Sequence, residues 1–442
     1  MRHPQHGTPI LLVIGTRPEA IKMLPVIRAF RESTRVRPII ISTGQHPQLV
    51  EEVLAFAELA PDVTLTVRDD ERTLNGLFAA VMRGFQEYVN GTFGENPGPG
   101  VGPGFDGFPV ATLVHGDTSS AAAAALASFH LRIPVAHVEA GLRTSDTLSP
   151  FPEELNRQLI SRIAAAHFAP TPRNAANLMR EGVDLGKILV TGNTAIDALT
   201  FAAEHSTTYG APELADLEGD DDTRVIVVTA HRRENWGRGI ARIADAVAEL
   251  AARFPRDRFV VSLHPNPAVA DVLRRRLEHI ANVTLVQPLR YASFARLLGR
   301  AHIAITDSGG IQEEAPTLGT PVIVLRDTTE RQEGVDAGTV ELVGTQVDAI
   351  VTAVARLLDD EAEYARRSSR ANPYGDGHAA ARIVQASEHI AFGTPAPMPY
   401  ASGLERSLIL RAAGYLEDPV DVRRELSMRR SSELMGEYSS AE

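Results

Sequence analysis

The chain has 442 residues, a formal net charge of −12, 44% hydrophobic and 23% charged residues, and no cysteine. That length predicts two domains rather than one core, and the missing cysteines exclude disulfides, thiolate metal sites and a cysteine nucleophile. The acidic balance argues against a nucleic-acid surface, no apolar run approaches the ~20 residues of a membrane span, and the N-terminus lacks the layout of a secretion signal, so a cytoplasmic protein is expected.

Short β-branched segments alternate with Ala/Leu-rich stretches along most of the chain, the pattern of parallel α/β layers. Strands are predicted at Ile10–Ile14, Pro38–Thr43, Val110–His115, Val135–Glu139, His167–Pro170 and Ile188–Thr191. Helices fit between them at Pro18–Arg31, Pro47–Leu59, Thr73–Val89 and Thr118–His130. The scheme repeats with strands Arg224–Thr229, Arg258–Leu263, Val283–Val286, Ile303–Asp307 and Pro321–Leu325, and a helix Gly239–Phe254. Two doubly wound domains follow, with a boundary in the acidic stretch Leu217–Thr223 and a ligand cleft expected at the carboxyl ends of the strands. Asn90–Pro109 is dense in Gly and Pro and reads as a flexible surface loop. The tail beyond about Gly393 reads as partly disordered, with a short helix within Leu404–Tyr415.

The segments that carry chemistry fall at strand ends. Gly15-Thr16-Arg17-Pro18-Glu19-Ala20-Ile21-Lys22 closes the first strand and opens a helix, placing Arg17 and Lys22 where cations oppose the helix dipole unless an anion lies between them. His115-Gly116-Asp117-Thr118 ends another strand, and an N-cap role for Asp117 or Thr118 is the plain alternative to a catalytic one. Glu139 follows an apolar strand beside Gly141 and Arg143, an expensive position for an unused carboxylate. Glu153 opens a helix after Pro152, where dipole stabilisation alone would explain it. Three carboxylates at one sheet edge provide a general acid and base with tunable pKa values. Tetrahedral zinc is not expected, because no His pair has ligand spacing.

In the second half, His231-Arg232-Arg233 at a strand end is placed to contact a diphosphate or protonate a leaving one. Asp307-Ser308-Gly309-Gly310 leads into a helix expected to open at Gln312-Glu313-Glu314; glycines there let a phosphate approach backbone N–H groups, and Glu314 is placed to accept from a sugar diol. This is a nucleotide-diphosphate loop. No Gly-x-Gly-x-x-Gly, Walker or Gly-x-Ser-x-Gly pattern occurs at a strand–helix junction, which disfavours a dehydrogenase, a P-loop NTPase and an α/β-hydrolase.

These segments, with Thr191-Gly192-Asn193-Thr194 and Asn372-Pro373-Tyr374-Gly375-Asp376-Gly377, resemble in order the non-hydrolysing UDP-N-acetylglucosamine 2-epimerases over roughly residues 8–390. The resemblance implies a GT-B-like fold with two Rossmann-like domains, 8–216 and 217–372, an interdomain active-site cleft, a crossover helix at 373–392 and a tail at 393–442. It implies reversible C2 epimerisation of UDP-GlcNAc to UDP-ManNAc by elimination of UDP to 2-acetamidoglucal and re-addition, without NAD or a required metal, in a homodimer that supplies surface polysaccharide. Asp117, Glu139 and Glu153 become acid/base residues and His231 a catalytic contact to the diphosphate. Arg17, Lys22, Ser308, Gly309, Gly310, Glu314 and Arg331 become UDP ligands, with Phe294 near the uracil. Some bacterial members are activated by their own substrate at a neighbouring site; Gln45, Gln48 and Arg232 match that region, whereas Glu71 stands where a basic residue is expected, with Arg72 beside it. The alternatives are a hydrolysing 2-epimerase, which lacks the Glu139–Thr144 and Pro152–Glu154 patterns; a GT-B glycosyltransferase, which has no use for three carboxylates at C2; and a non-enzymatic nucleotide-sugar binder, which leaves Glu139 and Glu153 idle.

Overall fold

A computed structural model describes residues 7–96, 107–144, 146–220, 222–329, 331–398 and 404–415. They divide into two compact units: those up to Thr194 together with those from His378 on, and Ala195–Gly377.

In the first unit, seven parallel strands, β1 (Thr8–Ile14), β2 (Val36–Ser42), β3 (Val63–Thr64), β4 (Thr112–His115), β5 (Val135–Val138), β6 (Ala166–Ala169) and β7 (Ile188–Val190), lie in the order 3-2-1-4-5-6-7. Both faces of this sheet are covered, which is why its strands read as continuous apolar runs. The two-residue alternation still decides which side each residue serves. Ile10, Leu12 and Ile14 pack with Met23, Ile27 and Phe30 of the helix Arg17–Glu32 and with Ile383 of the helix Ala379–Phe392. Leu11 and Val13 pack on the other side with Leu77, Val81 and Phe85 of the helix Leu74–Phe93 and with the buried alanines of the helix Ser119–His130.

In the second unit, β8 (Val225–Thr229), β9 (Arg258–Ser262), β10 (Val283–Val286), β11 (Ala301–Thr306), β12 (Val322–Val324) and β13 (Val340–Leu342) lie in the order 10-9-8-11-12-13, again all parallel. Helix Thr194–His205 packs here, with Leu199 and Ala202 against Ala295, Leu298 and Val322. Each sheet therefore reverses its winding at one place, between β1 and β4 and between β8 and β11, and ligands of such sheets bind at that reversal. Both predicted α/β layers are observed.

The differences lie at element ends. The helix Leu74–Phe93 runs through Asn90–Phe93, the start of the predicted loop, and stops at Gly94 with φ 76°; residues 97–106 of that loop lie outside the described residues. The tail carries a helix at Arg406–Ala412, whose Ile409 joins the first unit's core, and residues 416–442 lie outside the described residues. No helix of the described residues is long and apolar enough to cross a membrane.

Candidate active site

The winding reversal of the first sheet is built around Gly15. A Cβ there would lie 2.7 Å from Ser120 Cβ and 2.9 Å from Thr43 Oγ1, so only glycine lets the β1 turn pass this close to the helix Ser119–His130. Helix Arg17–Glu32 starts immediately after it, with Arg17 exposed at its first position. Lys22, one turn further on, donates from Nζ to Glu139 Oε1. The anion that makes a cation tolerable at this helix start is thus Glu139 itself. Glu139 follows β5 with φ 63°, a left-handed conformation that a non-glycine residue adopts only when its surroundings impose it. His115, the last residue of β4, puts Nε2 3.6 Å from Glu139 Oε2, and that nitrogen is buried without a hydrogen-bond partner.

Asp117 lies just past β4. Its Oδ2 accepts from Arg157 Nε at 2.9 Å and Nη2 at 2.6 Å, and its carbonyl accepts from Asn156 Nδ2 at 2.9 Å. Arg157 Nη1 donates to Glu154 Oε2 at 3.0 Å, and Glu154 also accepts from Thr144 N–H and Gln158. Of the two consecutive glutamates, Glu154 is therefore a fully buried anchor for Arg157. Glu153, at the first position of the helix Glu153–Ile163, has a buried Oε2 without a hydrogen-bond partner. Arg143 is structural: it forms a fork with Glu181 at 2.6 and 2.9 Å and donates to Ser161 at 2.8 Å.

The two central carboxylates are driven apart electrostatically. Burial acts to raise the pKa of Glu139, but Lys22 and His115 beside it outweigh that and hold it at about 2. Asp117 is raised, because burial and the neighbouring Glu139 charge exceed the attraction of Arg157. The histidines of this sheet are kept neutral by burial, His115 and His137 lowered to about 4 and His167 to about 3. Unfolded histidine takes up its proton near pH 6.5, so their contribution to stability is complete above that pH and is lost as pH falls toward 4. Thermal unfolding is expected to show this as a Tm that drops steadily from pH 6.5 to 4; a Tm that is flat or rises over that window would contradict it.

In the second unit the corresponding reversal is organised by Asp307, a fully buried residue just past β11. Its carboxylate accepts from the N–H groups of His231 (3.0 Å) and Arg232 (2.9 Å) and from Asn235 Nδ2 (2.9 Å), with His231 Nδ1 3.0 Å away. Burial opposes ionisation, but these donors prevail and its pKa lies below the usual carboxylate range. With Nδ1 turned to Asp307, His231 keeps Nε2 for another partner, and its side chain is 43% exposed. The glycine loop departs from expectation: the helix opens at Gly309, three residues early. A Cβ on Gly309 would lie 2.4 Å from the Arg331 guanidinium, so this glycine makes room for Arg331, which also donates to Glu313 at 2.7 Å. Ser308 and Gly310 flank it, Ser308 half-buried and Gly310 exposed, and Glu314 ends the helix. Burial, with a smaller push from the charge of Glu314, raises the pKa of Tyr291, whose hydroxyl is buried without a hydrogen-bond partner. Phe294, on the same helix as Tyr291, is half-buried against the apolar core.

Of the residues matched to substrate activation, Gln45 and Gln48 belong to the first unit and Arg232 to the second. Gln45 Oε1 accepts from Ser120 Oγ at 2.6 Å, and its carbonyl accepts from Arg72 at 3.3 Å. Gln48 is exposed. Glu71, standing where a basic residue is expected, pairs with Arg68 at 3.0 Å and Arg83 at 2.8 Å. Among the described residues no group of His, Asp and Glu side chains is arranged to hold a metal ion. Sequence reasoning did not single out Glu19, Arg157 and Asp307. Their position within the quoted motifs, or for Arg157 just after one, was the available signal, whereas their partners lie up to 99 residues away.

Comparison with known proteins identifies the family. The family model for UDP-N-acetylglucosamine 2-epimerase matches residues 28–388. The UDP-N-acetylglucosamine 2-epimerase of Yersinia pestis is 44% identical, over 85% of this chain and 97% of its own. A solved structure of a putative UDP-N-acetylglucosamine 2-epimerase from Listeria monocytogenes superposes with a TM-score of 0.81 at 38% identity, covering 90% of this chain and all of that one. The Neisseria meningitidis UDP-GlcNAc 2-epimerase bound to UDP-GlcNAc superposes with a TM-score of 0.75 at 38% identity, over 85% and 98% of the two chains. With two doubly wound parallel sheets and these relatives, the chain is a GT-B-like isomerase. The chain belongs to the UDP-N-acetylglucosamine 2-epimerase family.

Proposed function

We propose that the protein interconverts UDP-GlcNAc and UDP-ManNAc by using as base and acid two carboxylates whose pKa values are shifted in opposite directions. The supporting observation is the separation of Glu139, held ionised at about 2, from Asp117, raised by burial. Pairs whose environments push their pKa values apart are suited to acid and base roles. In this reading the C2 proton passes to an ionised carboxylate and the C1–O bond breaks, so that UDP departs and 2-acetamidoglucal remains. A proton then returns to the other face of C2 and UDP re-adds at C1. Glu139 is the base in the first step and Asp117 the acid, with Glu153, whose Oε2 is buried and unpartnered, completing the set. Arg17 and Lys22 neutralise the departing diphosphate, and Lys22 leaves Glu139 to do so, which restores the carboxylate's basicity when substrate is bound. His231, positioned by Asp307, contacts the diphosphate, while Ser308, Gly309, Gly310, Glu314 and Arg331 hold UDP and Phe294 lies near the uracil.

Elimination and re-addition move a proton and UDP but no hydride, so this route calls for neither NAD nor a metal. A cytoplasmic homodimer feeding surface polysaccharide, with Gln45, Gln48 and Arg232 sensing substrate, completes the proposal. It is tested by incubating the protein with UDP-GlcNAc alone and following products by NMR. UDP-ManNAc in equilibrium with UDP-GlcNAc is expected; free ManNAc as the main product would make the protein a hydrolase and overturn the reading.

A further inference from the structure

Glu19 is 3% exposed and carries four hydrogen bonds, all donated to it. Oε2 accepts from Gly15 N at 3.0 Å, Thr16 N at 2.7 Å and Thr16 Oγ1 at 2.8 Å; Oε1 accepts from Thr118 Oγ1 at 2.8 Å. A glutamate at the third position of a helix ordinarily closes a capping box with its own helix start and stays at the surface. This one is buried, and it reaches 99 residues along the chain to the turn after β4. Thr118 in turn caps the helix Ser119–His130 by accepting from Ala121 N at 3.0 Å. The carboxylate thus ties together the turn that starts Arg17 and Lys22 and the turn that carries Asp117.

We propose that Glu19 is a positioning residue for epimerisation, whose ionised carboxylate locks the Arg17/Lys22 turn to the Asp117 turn. The proposal rests on the epimerase reading given above. Its chemistry is simple: four donors converge on the carboxylate, so a proton on it has no acceptor unless a threonine hydroxyl reverses or a bond is given up. Ionisable groups on the surrounding elements include Arg17 and Lys22 in the first turns of the same helix, His46 after β2, His115 at the end of β4 and Asp117 just past it. Burial is the dominant influence and drives Glu19 up to about 7 against its hydrogen bonds, so the lock opens within an accessible pH range. Below that pH the turns loosen and turnover falls. Stability moves the other way: the folded state holds this proton more tightly than unfolded glutamate, so the contribution of Glu19 declines as pH rises from about 4.5 to about 7, against the larger opposite trend of the three buried histidines.

The experiment compares wild type, Glu19→Gln, Thr118→Val and Thr118→Ser in the UDP-GlcNAc assay across pH 5.5–9, with thermal unfolding of each. Wild type is expected to show an acid limb in kcat near pH 7. Glu19→Gln, a permanent image of the protonated side chain, is expected to lower kcat at pH 8 by about 10- to 100-fold with KM little changed and to erase that limb. Its stability relative to wild type should improve with rising pH between 4.5 and 7. Thr118→Val removes one donor to the ionised form and should move the limb to higher pH, while Thr118→Ser leaves it in place. If Glu19→Gln keeps the limb, or Thr118→Val leaves it unmoved, the proposal is overturned. Wild type that does not epimerise would overturn the reaction assignment instead, and a pH-independent stability difference between wild type and Glu19→Gln would then overturn the lock on its own.

Discussion

Glu139→Gln is expected to lower C2 proton exchange by roughly 10²- to 10⁴-fold, the usual contribution of a positioned acid or base. The substitution is nearly isosteric, so the left-handed turn at φ 63° and the neighbouring His115 keep their places. It removes the charge that pairs with Lys22. Released from Glu139, Lys22 is the better counter-ion for a diphosphate, so UDP affinity should hold or improve while turnover collapses. This split is the useful part: a residue whose role is structural would lose both together. Isothermal titration with UDP, alongside the exchange assay, measures it. Loss of UDP binding in parallel with exchange would contradict the acid/base role.

Arg157→Ala is expected to have the largest effect on stability, about 3–5 kcal/mol, the cost of leaving buried charge without its partner. Two carboxylates depend on this guanidinium, Asp117 at 2.6 Å and the fully buried Glu154 at 3.0 Å. With the cation gone, the force opposing burial at Asp117 is removed and its pKa rises further. Chemical denaturation gives the stability loss. Arg157→Lys should recover only part of it, because an ammonium cannot serve both carboxylates as a planar fork does. A variant within 1 kcal/mol of wild type would show that solvent or another group compensates both charges.

The layered fold was legible because the strands are buried on both faces, so Ile10–Ile14 and Ile39–Ile41 read as apolar runs that loops do not imitate. The edge strands β3 and β13, two and three residues long, carry too little pattern to be seen. Site positions were readable as strand ends because glycines and charged residues interrupt apolar sequence there. What those residues touch was not readable. Lys22 and Glu139 are 117 residues apart, and nothing in either segment says that the cation at the helix start is matched by that carboxylate. Glu19 was not singled out, because a capping box and a buried lock have the same local sequence. Gly309 read as a phosphate contact, and the packing reason it also has in the Arg331 guanidinium was not readable. Asp307 read as the end of a strand, and its hold on His231 depends on two strands being neighbours.

The most direct measurement is the fate of the C2 hydrogen of UDP-GlcNAc during turnover in D₂O, followed by NMR without added NAD. The account predicts deuterium at C2 of both UDP-GlcNAc and UDP-ManNAc as the mixture equilibrates. UDP-ManNAc that forms while retaining its C2 proton would contradict removal of that proton to solvent-exchanging carboxylates, and with it the roles given to Glu139 and Asp117.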